Sequence, residues 1–167
     1  CILAGGGSQR LGQDKSRLKL GGRTLLRRAR ELAKKVGLPS RVIRKDDVPN
    51  CGPLGGVITA LQSTNADSIV FLSCDMPFLT VEFTKRLIDH SGQAIFTQTT
   101  KGAGFPLRLN KKLLHVAEKQ LSKGEYSLQA LAKKLRARQL RLSVAKAQQL
   151  FNINTPADWA AAQKRVA

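Results

Sequence analysis

The segment CILAGGGSQRLGQDKSRLKLGG, residues 1–22, follows a short apolar run with Gly5, Gly6 and Gly7 and then with Arg10, Asp14, Lys15 and Arg17. Glycines lack a Cβ, so such a loop can turn sharply and bring its backbone close to a ligand. Successive amide hydrogens in a concave loop bind phosphate oxygens, and the nearby cations add charge to the same place. One reading is a polyphosphate cradle; the other is a plain corner between strand and loop. A second group stands apart in the chain. Asp75 directly follows the apolar run SIVFLSC and is fixed by Pro77 two positions later. Thr80, not Asp75, stands where the next helix needs its cap, so the carboxylate is free for other work. A lone carboxylate facing a triphosphate suits Mg²⁺, which takes one or two protein carboxylates together with phosphate oxygens and water. An Asx-type turn is the alternative.

For these groups to meet, strands must deliver them to a common edge. RTLLRRARELAKKVG places Leu25, Ala29, Leu32 and Val36 on one helical face, with Thr24 as N-cap and Gly37 closing the helix. RVI at 41–43 is a short strand, and CGPLGGVITALQS is a Gly/Pro loop opening a second helix with Val57, Ala60 and Leu61 inward. SIVFLSC is continuously apolar, as a central parallel strand covered on both faces should be. LTVEFTKRLIDHSG gives a helix capped by Thr80 with Phe83, Leu87 and Ile88 inward, and AIFTQTT gives a strand. FPLRL and QLRLSV read as strands, NKKLLHVAEKQLSKG and SLQALAKKLRA as amphipathic helices. The closing helix, TPADWAAAQKRV, has Thr155 as N-cap, Pro156 at its first position and Asp158 at the capping-box position. This alternation predicts an α/β fold: a single-domain, doubly wound, mostly parallel Rossmann-like three-layer sandwich spanning residues 1–167. Ligands in such sheets bind beyond the carboxyl ends of the strands. That directs attention to the glycine loop, to SCDMPFL and to FNIN.

Composition narrows the chemistry further. The chain has 167 residues, enough for one substantial core, and no apolar stretch near the roughly 20 residues needed to span a bilayer. With no targeting segment visible, a cytoplasmic location is expected. Cys1, Cys51 and Cys74 lack metal-ligand spacing, and the chain holds only two histidines, which argues against a zinc site and for reduced thiols in the core. The net charge of +18 suits polyanionic ligands or partners. Between Lys101 and Lys146 twelve Lys or Arg face only Glu118 and Glu125, most of them expected on solvated helix faces. Aromatic residues make up 5%, few for base-stacking platforms, and no RNA- or DNA-binding signature is present, so nucleic acid is not the favoured partner.

LAGGGSQRLGQDKSRLKLGGRTLL resembles the signature of the molybdenum cofactor guanylyltransferases: LAGG, three variable residues, Arg-Met/Leu-Gly, two variable residues where this chain has Gln13 alone, Asp-Lys and a Leu-rich stretch. CGPLGG, SCDMPFL and FNINTPADW are similar to that family's later motifs and occur in the same order. The resemblance implies transfer of GMP from GTP to the terminal phosphate of molybdopterin, with Mg²⁺ present and pyrophosphate leaving. It also implies protein partners that supply and receive the pterin. By the same resemblance Leu3, Ala4 and Gly5, with Gly6, contact the nucleotide through the backbone, Arg10 and Lys15 the triphosphate, and Asp75 the metal. Asp46 or its neighbour Asp47 matches the family's nucleoside-binding acid. Asn154 with Asn152 stands near metal and acceptor, or serves packing and turn formation. One departure is plain. Only fourteen residues, 38–51, lie where the family usually fits a second strand, an Asn-containing nucleotide loop and a further strand. A sister nucleotidyltransferase using CTP or a sugar-phosphate acceptor, and a non-catalytic nucleotide- or nucleic-acid-binding protein, remain the alternatives.

Overall fold

In the computed structural model of the chain, residues 1–5, 14–44 and 51–166 are described. Their strands are β1 (Ile2–Leu3), β2 (Lys19–Leu20), β3 (Arg23–Thr24), β4 (Val42–Ile43), β5 (Ser68–Ser73), β6 (Ala94–Thr99), β7 (Gly102–Asn110) and β8 (Arg138–Leu140). The helices are α1 (Leu25–Lys35), α2 (Gly52–Gln62), α3 (Val81–Asp89), α4 (Leu114–Ser122), α5 (Leu128–Lys134) and α6 (Pro156–Lys164). Six strands form one sheet in the order β4-β1-β5-β7-β6-β8, while β2 and β3 pair as a separate small ribbon. β1 is parallel to β4 and β5, and β6 is parallel to β8. β7 is antiparallel to both β5 and β6, so it alone in this sheet runs against the common direction. The sheet is therefore mixed but mostly parallel, as the alternation predicts.

Alternation along the strands divides the core into two faces. Leu3, Ile69, Phe71, Ala94 and Phe96 point to one side, against Leu54, Val57, Ile58 and Leu61 of α2, Ala117 of α4 and Leu131 of α5. Ile2 and Leu72 point to the other, against Leu26 and Ala33 of α1. Ile95 packs there against Phe83 and Leu87 of α3. Thus β1, β5 and β6 are covered on both sides, which explains the consecutive apolar residues 69–72 of β5 and 94–96 of β6.

The cap residues act as their side chains dictate. Thr24 Oγ1 accepts from the Arg27 amide, Thr80 Oγ1 from the Phe83 amide, and Thr155 and Asp158 close a reciprocal capping box. Gly37, at φ +79°, follows α1 in the left-handed conformation that ends helices. Several expectations shift in detail. The buried side of α1 centres on Leu25, Leu26 and Ala33, with Ala29 and Leu32 half-buried beside them. The buried side of α2 takes in every residue from 54 to 61, because this helix is wrapped by sheet and α4. QLRLSV extends only to Leu140 as a strand; Val144 is 93% exposed and opens a 3-10 segment, so alternation there continues past the end of the sheet. No helix among the described residues is long and apolar enough to cross a membrane.

The β6–β7 hairpin has one irregularity, a register shift after Phe96: Phe96 faces Leu107 but Thr97 faces Gly104. Fully buried Thr97 donates its hydroxyl to the carbonyl of Pro106 at 2.6 Å, one of the residues the shift passes over. Thr97→Val keeps the shape and removes the donor. It is expected to lower unfolding free energy by about 1–3 kcal/mol, measured by urea denaturation.

Candidate active site

Register decides which residues share an edge. Ile2 pairs with Val42 and Leu72, and Leu3 with Ile43 and Ser73, so β4, β1 and β5 end level. The residues just beyond those ends, Gly5, Arg44 and Asp75, consequently leave the sheet together. Gly5 has a reason of its own to be glycine. A Cβ there would collide with the backbone carbonyl of Arg44, which cannot yield as a side chain could. Its missing side chain is thus required by chain packing at this edge, whatever else its backbone contacts.

The next group comes from the turn before β2. Asp14 caps the 3-10 segment Lys15–Arg17, accepting from the Ser16 amide at 2.9 Å. Its other oxygen faces Arg17 at 3.5 Å and Arg44 at 3.7 Å, and Arg44 also donates to the Ser16 hydroxyl at 3.2 Å. Hydrogen bonding from Ser16, then the charges of Arg44 and Arg17, hold the Asp14 carboxyl below its ordinary range. Asp14 therefore sets the turn, and the turn aims Lys15.

Lys15 reaches across the edge to the far end of the chain. Its Nζ donates to the Ile153 carbonyl at 2.8 Å and to Asn154 Oδ1 at 3.0 Å, and lies 3.7 Å from Asp75 Oδ2. Both charged side chains are mostly buried, 18% and 16% exposed, so this pair differs from the surface pairs elsewhere in the chain. The segment carrying Asn154 is tied to the loop after β5 by a hydrogen bond from the Ile153 amide to the Asp75 carbonyl, at 2.9 Å. Asp158 holds its other end, accepting from the amides of Asn154 and Thr155 at 2.9 Å each.

Asp75 Oδ1 accepts a short 2.5 Å hydrogen bond from the Ser73 hydroxyl. Burial raises the Asp75 carboxyl above the ordinary carboxylate range, against the opposing pull of the Ser73 hydrogen bond and the Lys15 charge. The carboxylate is thus incompletely compensated. Its Oδ2, with Asn154 Oδ1 nearby, offers hard oxygen donors of the kind Mg²⁺ and Mn²⁺ accept. Among the described residues no group of three or more His, Cys, Asp or Glu could hold a metal, so a cation at Asp75 would draw its further ligands from phosphate and water.

Of the residues singled out in the sequence, the structure brings Gly5, Lys15, Asp75 and Asn154 to one edge. Leu3 and Ala4 lie at the end of β1, with the Ala4 amide engaged by the Ile43 carbonyl at 2.8 Å. Asn152 is exposed and is not among the oxygens around Lys15. Gly6, Arg10, Asp46 and Asp47 lie outside the described residues. Cys74, buried beside Leu72 and Leu26, has its thiol pushed up to about 12 by burial and the Asp75 charge, so it remains a core thiol. Sequence reasoning missed the Ile153 carbonyl, Ser73 and Arg44. For Ser73 the signal was its position two residues before Asp75; for Ile153 and Arg44 there was none.

Residues 1–141 match the family model of the MobA-like NTP transferase domain. A molybdenum cofactor guanylyltransferase from Xanthomonas euvesicatoria is 27% identical over 170 residues, covering 95% of this chain and 90% of the relative. Among solved structures, the molybdopterin-guanine dinucleotide biosynthesis protein A of Archaeoglobus fulgidus superposes with a TM-score of 0.78 at 20% identity, covering 98% of this chain and 96% of that one. A Mycobacterium tuberculosis protein solved as a complex with manganese superposes with a TM-score of 0.68 at 18% identity, covering 98% and 95%.

The raised Asp75 value has a consequence for metal-free protein. A carboxyl whose folded pKa exceeds its unfolded one favours folding when protonated. That contribution is complete below the unfolded value of about 3.9 and is lost as pH rises through the higher folded value. Wild type should therefore lose stability relative to Asp75→Asn as pH climbs out of the acid range, seen as a change in the difference between their melting temperatures. A difference that stays constant across that window contradicts the assignment.

Proposed function

Since the chain belongs to the MobA-like NTP transferase domain family, we propose that it transfers GMP from GTP to the terminal phosphate of molybdopterin, releasing pyrophosphate, with Mg²⁺ held at Asp75. The single observation that supports this most is the meeting of Lys15, Asp75 and Asn154 beyond the ends of parallel strands, where doubly wound folds bind ligands. The guanine and pterin specificity rests on the curated relative, whose name specifies that reaction. Its substrate, a nucleoside triphosphate, suits the cytoplasm.

In the reaction an acceptor phosphate oxygen forms a bond to the α-phosphorus of GTP while the bond to the leaving pyrophosphate breaks. Attack of one anion on another is slowed by repulsion, so the protein's task is positioning and neutralisation. Asp75, with Asn154 beside it, would hold Mg²⁺, which supplies charge neutralisation to the triphosphate and to the departing pyrophosphate. Lys15 contributes a cation on the nucleotide side, aimed by the Asp14 cap. Leu3, Ala4, Gly5 and Gly6 would present backbone groups to the nucleotide, Arg10 a further charge to its phosphates, and Asp46 a carboxylate to the nucleoside. Asn152 and Asn154 would flank the acceptor, delivered by whichever protein carries the pterin.

The test is product formation. Incubated with molybdopterin, Mg²⁺ and each of GTP, CTP, ATP and UTP, the protein should release pyrophosphate and form a dinucleotide with GTP. Product from CTP instead would indicate a sister cytidylyltransferase. No turnover with any nucleotide, together with steeply salt-dependent DNA or RNA binding, would indicate the non-catalytic alternative. Lys15→Ala should keep its fold, judged by circular dichroism, and lose about a hundredfold or more in kcat, the scale of removing one electrostatic contact to a transition state.

A further inference from the structure

The ammonium of Lys15 sits among oxygens of three kinds: the Ile153 carbonyl at 2.8 Å, the Asn154 side-chain oxygen at 3.0 Å and Asp75 Oδ2 at 3.7 Å. A carbonyl, an amide oxygen and a carboxylate are a hard-cation ligand set, and an ammonium is itself a compact cation that such a set can hold. We propose that Lys15 is a resident surrogate cation in this oxygen nest, displaced by the divalent metal only when a triphosphate draws the lysine away. This rests on the reading of Asp75 as the metal carboxylate and adds to it an exchange that couples metal to nucleotide.

Three features support the exchange. Asp75 and Lys15 are both mostly buried, so the carboxylate needs a nearby positive charge at all times and Lys15 supplies it while no metal is bound. A divalent ion ligated by Asp75 Oδ2 would stand within a few ångströms of the ammonium, where two cations repel strongly in a poorly solvated site. The two cannot share the nest. Finally, Asp75 Oδ2 is reached by Lys15 at ion-pair distance but beyond hydrogen-bond length, whereas the Ile153 and Asn154 oxygens each accept a hydrogen bond of ordinary length from it. The lysine is therefore anchored chiefly to neutral oxygens, from which a highly charged triphosphate can draw it without leaving Asp75 bare, because metal enters as the lysine leaves. By linkage, the triphosphate then raises metal affinity by the same factor as the metal raises triphosphate affinity.

The experiment measures Mn²⁺ binding to nucleotide-free protein by electron paramagnetic resonance of the free aquo ion. Lys15→Gln removes the charge while keeping a donor for the Ile153 carbonyl, and Lys15→Met removes both. At least one of these neutral variants should bind Mn²⁺ about tenfold or more tighter than wild type, the order expected on removing a close like charge. Lys15→Arg, still charged, should bind as weakly as wild type, and adding Asp75→Asn to the tighter neutral variant should cancel its gain. No gain in either neutral variant overturns the exchange, as does a gain shared by Lys15→Arg or one that survives Asp75→Asn. Mn²⁺ binding in the presence of inorganic tripolyphosphate separates the two levels. If Asp75→Asn leaves that binding unchanged, the metal assignment falls and the exchange with it. If Asp75→Asn abolishes it while the neutral Lys15 variants gain nothing, only the exchange falls.

Discussion

The contact between the Lys15 ammonium and the buried Asp75 carboxylate, 3.7 Å apart, is the constraint around which this edge of the molecule is arranged. A carboxylate placed at the end of a central strand and largely removed from water is expensive to leave uncompensated. The chain answers from two distant places. Lys15 comes from the turn before β2, and the carbonyl of Ile153 with the side-chain amide of Asn154 comes from the approach to α6, steering the lysine into position. Ser73 satisfies the remaining carboxylate oxygen from within β5 itself. Two of these partners are in turn secured by local chemistry: Lys15 by the turn that Asp14 caps, Asn154 by the Asp158 carboxylate that accepts from its amide.

Such an arrangement depends on strands ending at the same level. The pairing of Ile2 and Leu3 with both β4 and β5 puts Gly5, Arg44 and Asp75 on one edge, and the bare Cα of Gly5 lets the Arg44 carbonyl approach. Because apolar side chains on both faces of β1 and β5 lock this register, a slip would move core residues onto the wrong face and the site groups off the edge together. Packing and chemistry are therefore specified by the same residues.

Much of this was legible in the sequence, for reasons that can be named. The apolar run SIVFLSC read as a strand covered on both faces, which placed Asp75 at a carboxyl end; Thr24, Thr80 and Thr155 announced helix starts through side chains that bond the backbone. The Asp14-Lys15 pair after LAGG, with the later motifs in order, carried the family resemblance. What was not legible depends on tertiary contact. The carbonyl of Ile153 carries no side-chain identity, so nothing in the letters FNIN marks it as a partner of Lys15, and the Arg44 to Asp14 contact joins segments about thirty residues apart. The reversed strand β7 was hidden because an apolar strand reads alike in either direction. Alternation in QLRLSV outlasted the sheet that would have used it, since nothing in the pattern says where a partner strand stops.

The most direct test is a crystal of the protein soaked with Mn²⁺ and GTP, with anomalous difference density used to locate the metal. If charge at Asp75 organises the site, the manganese peak lies on the Asp75 carboxylate and the Lys15 ammonium has left the Ile153 carbonyl for a phosphate oxygen. A manganese peak remote from Asp75, with Lys15 still bonded to Ile153 and Asn154, would contradict it.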